Sequence, residues 1–163
     1  MTDARQTADR FILFTVAETM YAVHSRDVRH MEMIEQVTRV PNAPPFVDGV
    51  VFSRGLVVPV VNLRARFGFE RAPYTLRTRL IVVQTAGGRV VGLIADEARE
   101  FVPIPPGAIQ PAEDTLAGPS ARYLEGIASI GDRMILVVRL ERVLDFEEPI
   151  AGDAPAVGDA ATA

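Results

Sequence analysis

The chain of 163 residues contains no cysteine, no tryptophan and only two histidines. Without thiols there is no disulfide, no thiolate nucleophile and no cysteine-ligated metal. Lysine is absent too, so all seventeen basic residues are arginine, which reads as a compositional bias. A net charge of −4 gives no basic face for a polyanion, so nucleic acid is not an expected partner. No apolar run approaches the roughly 20 residues that cross a bilayer. The opening MTDARQTADR carries acids where a signal peptide has its apolar core, so a cytoplasmic protein without direct membrane insertion is expected. No Gly-x-Ser-x-Gly or Asp-Thr-Gly element occurs, and two histidines offer little for general-base chemistry. His24 and His30, with Asp27 the one suitably spaced carboxylate, fall short of a metal ligand set. No enzyme activity, cofactor or metal is expected.

What is present is valine, proline and glycine in short blocks. Val40–Phe67, VPNAPPFVDGVVFSRGLVVPVVNLRARF, describes one object. A stiff Pro41–Phe46 loop leads into two β-branched strands, 47–53 and 56–62, that turn at Ser53, Arg54 and Gly55. Arg54 stands at the hairpin tip, free to meet a partner, and Pro59 marks its strand as an edge or a bulge. The object returns: Gly126 precedes Leu140 by fourteen residues, as Gly49 precedes Leu63. Upstream, 10–16 with 20–24 parallels 79–85 with 89–94, the latter turning at Gly87-Gly88.

Ten strands are expected, near 10–16, 20–24, 29–36, 47–53, 56–62, 78–85, 88–94, 98–103, 124–131 and 133–139. Ser25 is expected to cap one helical turn, and Arg139–Phe146 to form a short amphipathic one. Many short strands in a duplicated pattern predict an all-β protein of two similar small barrels. Pro103–Arg122, with five prolines, is expected to be a long loop. The connector Arg64–Arg79 holds five arginines, which read either as a solvated face or as a landing patch for an acidic partner. Residues 1–9 and 147–163 are expected to be flexible ends flanking one domain, 10–146.

These runs resemble the CheW-like family, the coupling scaffolds of bacterial chemotaxis arrays. VTRVPNAPPFVDGVV with RG-x-VVPVVxLRxRFG is similar to the family's central run, and ARYLEGIASIGDRMILVVRLERVL to its C-terminal unit. FILFTVAETMYAV and TRLIVVQTAGGRVVGLIADEA are similar to its two hairpins. The resemblance implies two pseudo-symmetric five-stranded β-barrels with short helical turns, forming two intertwined lobes. It implies no catalysis, and a chain that joins chemoreceptor cytoplasmic tips to the regulatory domain of a CheA-type histidine kinase at membrane-associated arrays. Receptor contact in the family lies largely between the barrels, and kinase contact uses apolar barrel ends.

Residue by residue, the resemblance makes Val28, His30, Arg54 and Gly55 the expected receptor-binding residues. Three departures stand out. His30 replaces a usual glutamate, Phe52-Ser53 replaces Asn-Leu before Arg-Gly, and Asn62 replaces an aspartate. The first two border the expected receptor surface. The alternatives are a divergent scaffold of another sensory pathway and a small-ligand-binding β-barrel protein.

Overall fold

Phe11, Ile12, Leu13 and Phe14 are all buried in the computed structural model. Successive side chains of a strand point to opposite faces, so this strand is covered on both sides. The reason is a three-layer core. Phe11 and Leu13 join Ala22, Ile104, Ile135 and Val137 inside one sheet. Leu80 and Val82 join Val51, Val58, Val60 and Ile94 inside a second. The intervening residues, Ile12, Phe14, Ile81, Val83, Val91 and Leu93, meet in the largest cluster, which therefore lies between the two sheets. The structure describes residues 9–116 and 118–146.

Among the described residues there are eleven strands: β1 Asp9–Val16, β2 Thr19–His24, β3 Val28–Met33, β4 Val47–Ser53, β5 Leu56–Asn62, β6 Arg79–Gln84, β7 Val90–Ala95, β8 Glu97–Ile104, β9 Ile109–Pro111, β10 Leu124–Ile130 and β11 Arg133–Val138. Single-turn helices α1 Leu63–Arg66, α2 Ala112–Thr115 and α3 Leu140–Val143 follow β5, β9 and β11. One sheet runs β8-β1-β2-β11-β10-β9 and the other β3-β6-β7-β5-β4. Each sheet thus combines strands from both halves of the chain.

The all-β, two-lobed, internally duplicated arrangement expected from sequence is the one observed. β5 runs parallel to β7, and β11 parallel to β2. Register slips occur between Val47 and Gly49 in one hairpin and between Leu124 and Gly126 in the other. Gly49 and Gly126 therefore hold equivalent bulge positions. A side chain at Gly49 would place its Cβ 2.1 Å from the Thr38 carbonyl oxygen, and one at Gly126 2.7 Å from that of Gln110.

Several details differ from expectation. Neither sheet closes into a hydrogen-bonded barrel. In the second, β3 and β4 remain outer strands, and Thr38, in the segment that follows β3, exchanges two backbone bonds with Val50 of β4 (N–O distances 2.9 and 2.8 Å). In the first, β9 adds a sixth strand within the proline-rich 103–122 segment, which is therefore not all loop. Pro59 lies in an inner strand, between β7 and β4. It is tolerated because Val50 directs both backbone groups to Thr38, so the Val50–Pro59 pair exchanges none. The parallel ladder to β7 begins only at Val60. Ser25–Asp27 forms a 3₁₀ turn, but no side chain caps it. Of the ends expected to be flexible, Asp9 opens β1, and 1–8 with 147–163 lie outside the described residues.

Candidate functional site

The β4–β5 hairpin ends in a two-residue turn at Arg54 (φ 48°) and Gly55 (φ 85°). Positive φ at both positions matches the twist of a tight hairpin, and glycine takes it freely. Arginine takes it less readily, as do Ala17 and Glu18 at the positive φ of the β1–β2 turn. Arg54 is exposed at the tip.

Beside it, the outward pair Phe52 and Val57, opposite one another in register, is 76% and 68% exposed. Leu56 and Met33 are exposed nearby. In the duplicate hairpin the pair at this position is Ser129 and Met134. The two hairpins share a backbone plan, but only the β4–β5 copy presents an aromatic–aliphatic pair.

His30 lies in β3. Its side chain is 12% exposed and bonds within the protein. Nε2 donates to Glu32 Oε2 at 2.7 Å and lies 3.2 Å from Ser53 Oγ. The Ser53 hydroxyl donates to the same Glu32 oxygen at 2.5 Å. Two of the departures from the family pattern therefore meet in one cluster, which latches β3 to β4 where no backbone ladder does. Burial works against ionisation of Glu32, but the bonds from Ser53 and His30 and the nearby charges hold its carboxyl below the usual range. A depression of about 130 Å³ opens beside the latch, with Arg29, His30, Ser53 and Arg54 in its lining. Val28 begins β3 half-buried against the central core. Of the four expected site residues, His30 and Arg54 line one depression, Gly55 follows Arg54 in the turn, and Val28 packs against the central core instead.

Several arginines of the connector are engaged within the protein. Arg64 holds Asp96 through Nε and Nη2 (2.8 to 3.1 Å), and Asp96 also accepts from Ala17 N at 2.8 Å. Arg71 and Tyr74 both donate to Asp48, as does Asn62 at 2.9 Å. Burial opposes ionisation of Asp48, yet these donors hold its carboxyl below its ordinary value. Asn62 also caps α1, accepting from Ala65 N at 3.2 Å, which accounts for an amide at this departure. Arg66 is fully buried and donates to the carbonyls of Val143, Arg142 and Asp145 at 2.9, 3.1 and 2.6 Å. It ties α1 to its duplicate α3. Sequence reading missed that role, because nothing in LRARF separates a buried arginine from its neighbours.

His24 lies in β2, with Nε2 donating to Glu125 at 3.0 Å and Asp9 3.6 Å from Nδ1. Among the described residues no group of three or more His, Asp or Glu could hold a metal ion. The His24 hydrogen bond, against some burial, lowers the Glu125 pKa. A depressed carboxyl contributes stability that is present above its unfolded value of about 4.3 and lost as pH falls through its folded value. Glu125→Gln should therefore flatten the acid limb of the stability profile below about pH 4.3. Near neutral pH it should cost under about 1 kcal/mol, since the pair is partly exposed. Urea titrations across that range check it, and an unchanged acid limb would remove the His24–Glu125 pair from the account.

A model of the CheW-like domain matches residues 10–148. The chain belongs to the CheW-like domain family. It is 32% identical to the chemotaxis protein CheW of Klebsiella aerogenes over 138 residues, 85% of this chain and 82% of that one. It is 34% identical to CheW of Rhizobium meliloti over 137 residues, 84% and 88% of the two chains. The crystal structure of the scaffolding protein TtCheW from Thermoanaerobacter tengcongensis superposes with a TM-score of 0.79 at 28% identity, covering 89% of this chain and 98% of that one. The chain is thus a chemotaxis scaffold in signal transduction. No helix among the described residues is long and apolar enough to cross a membrane.

Proposed function

We propose that this protein is a non-enzymatic adaptor that couples chemoreceptor cytoplasmic tips to the regulatory domain of a CheA-type histidine kinase, in the cytoplasm at receptor arrays. The observation that carries the reading is the β4–β5 hairpin, which exposes Phe52 and Val57 beside an Arg54 held at positive φ. A protein interface needs a desolvated apolar centre with a few charged anchors, and this hairpin presents both. Both sheet interiors are packed with apolar side chains, which disfavours the small-ligand alternative.

In this reading Arg54 and Gly55 form the receptor contact, His30 acts on it by fixing Glu32 and Ser53, and Val28 supports β3 from below. The apolar Phe52–Val57 face receives the kinase regulatory domain. Arg54→Glu should weaken receptor-tip binding about thirtyfold, the effect of roughly 2 kcal/mol at an interface hot spot. Its unfolding midpoint should stay unchanged, because the side chain touches no core. Calorimetry with the native receptor tip checks it, and unaltered affinity would move the receptor contact elsewhere. The wider test is capture of the protein from its native cytoplasm. A receptor and a kinase should copurify; recovery of neither would defeat the adaptor reading. The polar latch at His30 and Ser53 favours, as a second reading, a scaffold tuned to a divergent receptor.

A further inference from the structure

On the far side of the latch from Arg54 lies a groove of about 520 Å³ that shares no lining residue with the Arg54 depression. Val51 and Leu80 line it with the exposed side chains of Met33, Phe52 and Val57. Glu32 and Glu35 also line it, and no arginine does. Glu32 is held in place through one oxygen only. Oε2 accepts from both Ser53 and His30, and Oε1 has no hydrogen-bond partner among the described residues. A carboxylate fixed in advance, with a free oxygen at the lip of an apolar groove, loses little further freedom when a cation arrives. At the equivalent place in the first sheet Val102 pairs with Phe11 as Glu32 pairs with Leu80, and Ser129 with Met134 replaces Phe52 with Val57. The acid-and-apolar combination therefore belongs to the second sheet alone.

We infer that this groove docks a protein segment bearing aliphatic side chains for Phe52, Val57 and Met33 and an arginine or lysine for Glu32 and Glu35. The inference rests on the adaptor reading, which places the kinase regulatory domain on this Phe52–Val57 face and so makes the segment part of that domain. Apolar contact supplies the affinity, and the two carboxylates select the sign of the partner's charge. An arginine suits Glu32 best, because its planar fork can meet Oε1 while its stem lies along the groove wall.

Three capped hexapeptides test this on the full chain: alternating leucine and arginine, alternating leucine and glutamate, and alternating serine and arginine. Amide chemical shifts are followed in about 0.1 M salt, where long-range attraction is screened. The leucine–arginine peptide should bind, shifting the amides of Glu32, Met33, Phe52 and Val57, and the other two should bind at least about fivefold more weakly. Glu35→Gln, an exposed change outside the latch, should weaken the first peptide measurably, and Glu32→Gln with Glu35→Gln by about fivefold. Phe52→Ser should reduce binding of the same peptide. Shifts centred elsewhere, equal binding of both leucine peptides, or no effect of Glu35→Gln would overturn the proposal. A failure here with receptor and kinase still copurifying would leave the adaptor reading standing and remove only this groove.

Discussion

Arg66→Met should destabilise the protein by about 4 kcal/mol, a large fraction of the roughly 5–15 kcal/mol that holds a domain together. Methionine fills part of the volume but donates nothing. The carbonyls of Val143, Arg142 and Asp145, now bonded to the guanidinium, would lose charge-assisted bonds worth about 1.5–3 kcal/mol each in similar settings. The guanidinium also sits 4.0 Å from the Phe46 ring centroid and 5.0 Å from that of Tyr123, contacts a thioether only partly replaces. Arg66→Lys should recover less than half of the loss, since an ammonium cannot fork to three carbonyls while lying flat between two rings. Denaturant unfolding checks both variants. A loss under about 1 kcal/mol for Arg66→Met would mean the α1–α3 tie is incidental.

Gly49→Ala should cost about 3 kcal/mol, combining overpacking with strained backbone. The added Cβ would sit 2.1 Å from the Thr38 carbonyl oxygen, at a φ of 149° that side-chain-bearing residues avoid. Relief requires breaking the Thr38–Val50 pairing, which fastens the segment after β3 to β4. Gly126→Ala should behave alike, because its Cβ would meet Gln110 O at 2.7 Å and Ile109 Cγ2 at 2.5 Å. Its cost should be smaller, since the isoleucine methyl can turn aside. Thermal midpoints of the two variants test the duplication itself. One strongly destabilised and one neutral variant would show that the two bulges do different jobs.

Much of this fold was legible because the chain uses short β-branched blocks separated by glycine and proline. The fourteen-residue interval from Gly49 to Leu63 and from Gly126 to Leu140 reports a real equivalence of bulge and helix. β9 was hidden because Ile109–Pro111 is only three residues long and ends in a proline, so local signals read as loop. Pro59 misled for the converse reason: whether a missing donor matters depends on which neighbour it faces, and that is set by pairing Val50 with Thr38.

At the candidate site, Arg54 and Gly55 were readable from turn chemistry alone. The direction of His30 was not. The slip between Val28 and His30 changes how side chains alternate along β3, and it turns the imidazole toward Glu32 and Ser53. Glu32 carried no signal of its own, since an acid two residues along a strand looks like any solvated charge. Arg66 was hidden among exposed arginines because burial of a charge depends on carbonyls about eighty residues away in the chain.

Three-component sedimentation tests the central claim most directly. The protein, a receptor cytoplasmic tip and the kinase regulatory domain should form one ternary species. Arg54→Glu should release only the receptor tip from it, and Phe52→Glu only the kinase domain. Receptor tip and kinase domain that displace one another from the unmodified protein would contradict an adaptor with two surfaces.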